Sequence, residues 1–271
     1  NQMSFIKAQN LTRRYDLSDP WIVRKLTGQP QRLLTAVNDV SFSVEKGTTY
    51  GLVGESGSGK STIAKMAVGL LKPSAGSIRL DGYDLNLEGQ SREDNQAMRR
   101  RIQMVFQSPY ASLNPRWKVG DILAEPIRSF ELIQGSPNIN KRVNELLEQV
   151  GLSRSDANKY PHEFSGGQRQ RISIARALSS QPEVIICDEP TSALDVSVQA
   201  QVLNLLMALQ KEFSLTYLFI THDLAVVSSV ANRIGVLNKG ALVEEGTVKE
   251  LFENPKQDYT RMLIESAPKM L

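Results

Sequence analysis

The residues best suited to chemistry are a run of glycines and serines that ends in lysine and serine, Gly54-Glu55-Ser56-Gly57-Ser58-Gly59-Lys60-Ser61. This spacing fits G-x-x-x-x-G-K-[ST], a loop whose backbone N–H groups surround phosphate oxygens. Lys60 has the length and charge to reach β- and γ-phosphates, and the Ser61 hydroxyl can bind Mg²⁺. We therefore predict a nucleotide site formed by Gly54, Ser56, Gly57, Ser58, Gly59, Lys60, Ser61 and Thr62.

The elements around this loop support the prediction. Residues 49–53 form an apolar run that predicts a buried strand, and residues 61–71 have the composition of a helix. The phosphates would then lie at a helix N-terminus, where unpaired N–H groups and the helix dipole favour anions.

Two adjacent acids form the second candidate feature. The apolar run 184–187 predicts a central parallel strand, and Asp188 and Glu189 follow it directly. In enzymes with this phosphate loop, an aspartate at such a strand end helps to hold Mg²⁺. Asp188 suits that role, and Glu189 is placed to orient or deprotonate an attacking water.

His222 and Gln107 complete the predicted catalytic set with Glu189. Each follows a predicted strand, over residues 215–220 and 102–106. Ligands of open α/β sheets bind at the carboxyl ends of strands, so these side chains are expected at one edge. There His222 can bond a γ-phosphate, and Gln107 can reach Mg²⁺ or the water.

Further motifs resemble one enzyme family. Residues 164–171 read FSGGQRQR, which resembles the LSGGQ signature of ATP-binding-cassette ATPases, and residues 192–195 read SALD, which resembles their D-loop. With the phosphate loop, Gln107, the Asp188–Glu189 pair and His222, the motifs follow the family's order. The resemblance covers essentially the whole chain.

The resemblance implies a fold and a set of roles. It implies an α/β P-loop NTPase cassette, with a RecA-like core sheet, an antiparallel β subdomain and a helical signature subdomain. The expected division is a core at 1–107 and 174–246, a helical subdomain at 108–173 and a C-terminal helical extension at 247–271. Two cassettes would pair head to tail around ATP and Mg²⁺. Tyr15 would stack on adenine, and the contacts from the signature and D-loop would be Ser165, Gly166, Gly167, Gln168 and Asp195.

Finer motifs resemble the ATPases of oligopeptide and dipeptide importers. These are QSPYASLNPR at 107–116, AEP at 124–126, YPHEF at 160–164 and ALDVSVQAQ at 193–201. Importers for nickel, glutathione and antimicrobial peptides share nearly the same motifs, so these cargoes stay as alternatives. A soluble cassette ATPase acting on DNA or ribosomes, and an exporter, are the less favoured alternatives.

The importer resemblance also implies partners and a location. The partners would be a second cassette, identical or homologous, two transmembrane permease subunits and, indirectly, an extracytoplasmic solute-binding protein. The chain would lie peripherally on the cytoplasmic face of the bacterial membrane, with residues 109–115 as its surface towards the permease. Some relatives bind an iron–sulfur cluster through four C-terminal cysteines. The single Cys187 leaves two alternatives, a member without the cluster or one whose cluster segment lies beyond Leu271.

Composition limits the other classes of function. The chain has 32 Lys and Arg against 29 Asp and Glu, a net charge of +3 that does not indicate a nucleic-acid partner. The lone cysteine fits a reducing compartment and, within its apolar run, a buried structural thiol. No apolar stretch approaches the length that spans a bilayer, and residues 1–14 do not read as a secretory signal.

Three further expectations concern secondary structure. Residues 4–11 predict an edge strand, and residues 16–33, with Pro20, Gly28 and Pro30, predict an irregular loop insertion. Two short apolar runs around Asn238-Lys239-Gly240 predict a hairpin.

Overall fold

The computed structural model describes residues 4–19, 21–28, 30–86 and 91–266. Its strands are β1 (Ile6–Asp16), β2 (Leu33–Val44), β3 (Thr49–Val53), β4 (Ala75–Leu80), β5 (Tyr83–Asp84), β6 (Ile102–Val105), β7 (Val184–Asp188), β8 (Thr216–Thr221), β9 (Arg233–Asn238) and β10 (Ala241–Thr247). Its α-helices are α1 (Trp21–Thr27), α2 (Lys60–Ala67), α3 (Arg92–Arg101), α4 (Pro109–Ser112), α5 (Val119–Ser129), α6 (Ser136–Gln149), α7 (Gly166–Ser179), α8 (Val196–Phe213), α9 (Leu224–Val230), α10 (Val248–Glu253) and α11 (Asp258–Ser266). Short 3-10 helices cover Arg154–Asn158 and Pro161–Glu163.

The chain divides into two compact units, and the first comprises residues 1–45, 50–88 and 222–271. It contains an antiparallel sheet in the order β2-β1-β4-β5. It also contains β3, which runs parallel to β9, and the antiparallel β9–β10 hairpin. The hairpin is confirmed: Lys239 and Gly240 have φ of 45° and 84°, the successive left-handed residues of a tight two-residue turn.

The edge-strand prediction for residues 4–11 is wrong. β1 pairs with β2 on one side and with β4 on the other, so it lies inside the sheet. The apolar pattern correctly predicts a strand, and its apolar residues Ile6, Ala8 and Leu11 are all buried. Polar residues among them indicated that the strand has a solvent-exposed face, but they carry no information on how many strands pair with its backbone.

The loop predicted at residues 16–33 is also wrong in part. β1 continues to Asp16, β2 begins at Leu33, and these two residues are register partners. Between the strands lies the seven-residue helix α1. Backbone pairing does not require apolar side chains, so the ladder extends through a polar stretch that sequence periodicity does not mark as strand.

The second unit comprises residues 46–49 and 89–221. Its strands β6, β7 and β8 are parallel, with β7 between the other two. Every residue of β7 is buried, as expected for a strand covered on both faces. Cys187 is fully buried, and this burial raises the pKa of its thiol well above the usual value. The predicted central strand and structural thiol are confirmed.

Helices occupy most of the remainder of the second unit. On α6, Ile139, Val143, Leu146 and Leu147 are buried, at the spacing that places them on one face of a helix. Gly151 follows the helix with φ of 72°, the left-handed conformation common after helix C-termini. Residues 108–173 are mainly helical, and the wider three-part division into core, helical subdomain and C-terminal extension stays a prediction. Among the described residues, no helix is both long and apolar enough to cross a membrane.

Candidate nucleotide-binding and hydrolysis site

The phosphate loop joins β3 to α2 in the first unit, as the sequence predicts. A Cβ at Gly54 would lie 2.1 Å from the carbonyl oxygen of Leu237. Gly59 has φ of 105°, and a Cβ there would lie 2.3 Å from the carbonyl oxygen of Ala36. Only glycine fits these two positions, and α2 begins at the next residue. The start of α2 favours an anion, because N–H groups at a helix N-terminus point towards a ligand and the helix dipole is positive there.

Lys60 is 4% exposed and lies within the curve of the loop. Its Nζ donates to the carbonyl oxygens of Gly54 and Glu55, at 2.7 and 2.8 Å, and to Ser58 Oγ at 3.3 Å. These bonds compensate the cost of burying an ammonium group. Ser61 is exposed and Thr62 half-buried in the first turn of α2. The loop therefore presents a fixed cation and a hydroxyl in one turn of chain, which suits phosphate binding.

The acid pair lies at the end of β7 in the second unit. Asp188, the last residue of the strand, is 7% exposed. Glu189 follows with φ of 48°, a left-handed conformation uncommon for a residue with a side chain. Its N–H donates to the carbonyl oxygen of Ile220 at 2.9 Å. This hydrogen bond and the left-handed turn fix the backbone of Glu189 immediately after the strand.

Gln107 meets Glu189 at this strand end. Gln107 follows β6, which pairs with β7, and its Nε2 donates to Glu189 Oε2 at 3.0 Å. An amide that donates to one carboxylate oxygen orients the other for a second partner. The structure therefore brings together three predicted site residues of this unit, Gln107, Asp188 and Glu189. The arrangement suits oxygen coordination of a hard cation and general-base activation of water.

The signature segment forms the start of α7. Ser165 is the N-cap: its Oγ accepts from Gln168 N at 3.3 Å, and Gln168 Oε1 accepts from Ser165 N at 3.0 Å. This reciprocal capping box fixes the first turn of the helix, where orphan N–H groups favour an anion. Gly166 and Gly167 occupy the first two helical positions.

Gly167 has a packing role that sequence reasoning missed. A Cβ at this position would lie 2.3 Å from Val198 Cγ1 on α8. At Gly166 the nearest atom to such a Cβ, Leu194 Cδ2, would lie at 3.7 Å. Of the two glycines, Gly167 is therefore the one that allows close approach of α7 and α8. No local sequence signal distinguishes them.

This difference gives a paired stability prediction. We expect Gly167→Ala to destabilise the protein by about 1–3 kcal/mol, the usual cost of overpacking. Gly166→Ala, the matched control, adds a methyl group at ordinary contact distance and should change stability by less than about 0.5 kcal/mol. Thermal denaturation of the two variants measures the effect. Equal melting temperatures would show that Val198 moves aside without cost.

Asp195, in the predicted D-loop, is the N-cap of α8. Its Oδ1 accepts from Val198 N at 3.0 Å and from the Ser197 hydroxyl at 2.8 Å. These hydrogen bonds, the one from the Val198 N–H above all, lower the pKa of the Asp195 carboxyl. The carboxylate is therefore held in its ionised form at the helix start, which stabilises the segment after the acid pair.

Two remaining candidates belong to the first unit. His222 is exposed and lies two residues before α9. Tyr15 is half-buried near the end of β1, and the Arg13 guanidinium lies over its ring, 4.8 Å from the centroid. One ring face of Tyr15 is thus covered by a cation, and adenine stacking would use the other face. The roles of both residues stay predictions.

The fold and these motifs define the class of the protein. The sequence profile described as ABC transporter matches residues 37–192, more than half of the chain. The chain therefore belongs to the ABC transporter family, and the predicted fold class is confirmed.

More specific similarity comes from individual relatives. The chain is 52% identical over 240 residues to the oligopeptide transport ATP-binding protein OppF of Bacillus subtilis, covering 88% of this chain and 78% of that protein. It is 46% identical over 263 residues to the di/tripeptide transport ATP-binding protein DppF of Pseudomonas aeruginosa, covering 97% of this chain and 79% of that protein. Among solved structures, the dimeric ATP-binding cassette MJ0796 bound to ADP and Pi has a TM-score of 0.76 and 29% identity, covering 90% of this chain and 98% of that chain. The predicted resemblance to peptide-importer ATPases is confirmed.

Proposed function

We propose that this chain is the ATP-hydrolysing subunit of a bacterial ABC importer for oligopeptides or dipeptides. The hydrolysis step is supported by the position of Glu189 directly after β7. Its Oε2 accepts a hydrogen bond from Gln107 Nε2 at 3.0 Å, which orients the carboxylate. The similarity to OppF and DppF, ATP-binding proteins of oligopeptide and di/tripeptide transport, supports the cargo class.

In the proposed reaction the chain first binds the phosphates of ATP. Lys60 neutralises the β- and γ-phosphates, and the N–H groups at the start of α2 hydrogen-bond to their oxygens. Tyr15 stacks on adenine. His222 hydrogen-bonds the γ-phosphate and so distinguishes ATP from ADP.

Glu189 then acts as the general base. A water attacks the γ-phosphorus, its proton passes to the Glu189 carboxylate, and the bond to the β-phosphate oxygen breaks to give ADP and phosphate. Gln107 holds the carboxylate in place. In a second cassette, the signature and D-loop residues Ser165, Gly166, Gly167, Gln168 and Asp195 contact the same nucleotide. The dimeric MJ0796 structures support such pairing.

The donor set fits Mg²⁺. The proposed ligands are the Ser61 hydroxyl, the Asp188 carboxylate and the Gln107 amide oxygen, and oxygen ligands are those that Mg²⁺ prefers. Among the described residues, no group of three or more His, Cys, Asp or Glu is placed to hold a metal ion. Mg²⁺ that is bound together with a nucleotide usually has only one or two carboxylate ligands from the protein, because phosphate oxygens and waters complete its coordination. The ion would supply neutralisation of the charge on the phosphates.

Residues 109–115 are the proposed surface towards the permease. Tyr110 is 68% exposed, and a cavity of about 260 Å³ nearby is lined by Ser112, Asn114, Trp117, Ile122, Glu125 and Arg176. The Arg169 guanidinium carbon lies over the Tyr110 ring, 3.8 Å from the ring centroid. Arg176 Nη1 donates to the Ser112 carbonyl oxygen at 2.7 Å. Both arginines belong to α7, so contacts at this surface are linked directly to the signature helix.

A capture experiment tests the assignment. The Glu189→Gln chain is incubated with Mg-ATP and detergent-solubilised membranes of the source bacterium, then recovered and analysed by mass spectrometry. The proposal places the chain on the cytoplasmic face of the membrane, and we therefore expect to recover two polytopic subunits and a second cassette. A solute-binding protein encoded with them would identify the cargo as peptide, nickel, glutathione or antimicrobial peptide.

Two controls make the capture specific. The same bait without nucleotide should recover less of the second cassette, because the paired state needs ATP. Recovery of only soluble or nucleic-acid-bound partners would show that the cassette is correct and the transport function wrong.

A further inference from the structure

One peptide unit of the phosphate loop is held at both ends. The Gly54 carbonyl oxygen accepts from Lys60 Nζ at 2.7 Å. The Glu55 N–H, which belongs to the same peptide group, donates to the phenol oxygen of Tyr259 at 3.1 Å. A peptide group is planar and rotates as a unit, so its N–H and C=O cannot be oriented separately. The Tyr259 hydroxyl therefore constrains the carbonyl that holds Lys60.

Tyr259 is itself fixed by the segment around it. The Glu244 carboxylate on β10 accepts from the N–H groups of Lys256 and Gln257, at 2.7 and 3.0 Å, just before α11. Thr260, the next residue after Tyr259, is 1% exposed. Two charge-assisted hydrogen bonds and a buried residue thus fix the first turn of the helix that carries the phenol.

The phenol has the right chemistry for this role. Burial raises the pKa of Tyr259 above its usual value, so the hydroxyl is neutral at physiological pH. A neutral phenol accepts an N–H and keeps its own proton for a further bond. Its position in the first unit, within hydrogen-bond distance of a loop residue 204 positions earlier, is a product of the fold and not of local sequence.

We propose that Tyr259 is a positioning residue for nucleotide binding, which acts through the Gly54–Glu55 peptide group to hold Lys60 ready for the β-phosphate. The inference rests on the proposed ATP binding and adds a residue to it. It assigns to α11 a part in setting nucleotide affinity.

Tyr259→Phe tests the proposal, because it removes one hydroxyl and keeps the ring. Loss of one neutral hydrogen bond should raise the Kd for Mg-ADP about two- to tenfold. Isothermal titration of the full chain measures this Kd. Tyr83→Phe is the matched control: Tyr83 is 62% exposed on β5, and its variant should keep the wild-type affinity.

A double-variant cycle separates positioning from general stability. If Tyr259 acts through Lys60, adding Tyr259→Phe to Lys60→Ala should change the Kd less than about twofold, since the group being positioned is gone. Effects that simply multiply would overturn the proposal, as would a Tyr259→Phe chain that binds Mg-ADP like wild type. In both cases the proposed ATPase stands, whereas a wild-type chain that binds no nucleotide would refute the proposed function itself.

Discussion

Glu189→Gln should lower ATP turnover about 10²–10⁴-fold, the usual contribution of a general base, while ATP stays bound. The amide has nearly the shape of the carboxylate but cannot accept a proton from the attacking water. The Gln107 contact at 3.0 Å depends on an oxygen acceptor, and a glutamine at 189 still offers one. Steady-state release of phosphate by the purified chain, with an ATP binding titration beside it, measures both quantities.

Glu212→Gln is the matched control for this substitution. Glu212 is exposed near the end of α8, in the same unit, and its replacement makes the same change of charge and shape. It should keep wild-type turnover. A Glu189→Gln chain that hydrolyses ATP within a few-fold of wild type would remove Glu189 from the role of base.

The meeting of Gln107 and Glu189 shows what the sequence can predict about a site. Both residues follow short apolar runs, and short apolar runs in an alternating strand–helix chain predict neighbouring parallel strands. The carboxyl ends of such strands lie at one edge of the sheet. The contact is therefore predictable although Gln107 and Glu189 are 82 residues apart in the sequence. The left-handed backbone at Glu189, in contrast, has no local signal.

Other features depend on partners far away in the chain. The position of β1 inside its sheet follows from pairing with both β2 and β4, which its own residues do not specify. The need for glycine at 167 follows from the close approach of Val198 on the next helix. The contact of Tyr259 with Glu55 follows from the placement of α11. Local patterns predict elements and their ends, whereas close contacts require the assembled fold.

Lys60→Ala should weaken nucleotide binding about 10- to 100-fold, because it removes charge-assisted hydrogen bonds worth roughly 1.5–3 kcal/mol each. The loss has a second cause within the loop. Without the ammonium group, the Gly54 and Glu55 carbonyls and Ser58 Oγ lose a common donor, so the loop is less firmly held in its phosphate-binding shape. Titration of the purified chain with Mg-ADP measures the change in Kd.

Lys65→Ala is the matched control, because Lys65 lies on the same helix, is exposed and carries the same charge. If general electrostatic attraction of phosphate dominated, both substitutions would weaken binding alike, and added salt would reduce the difference from wild type. A buried lysine held by three loop acceptors instead predicts a large effect at 60, a small one at 65 and little dependence on salt. Unchanged affinity in Lys60→Ala would contradict the assignment of this loop as the phosphate site.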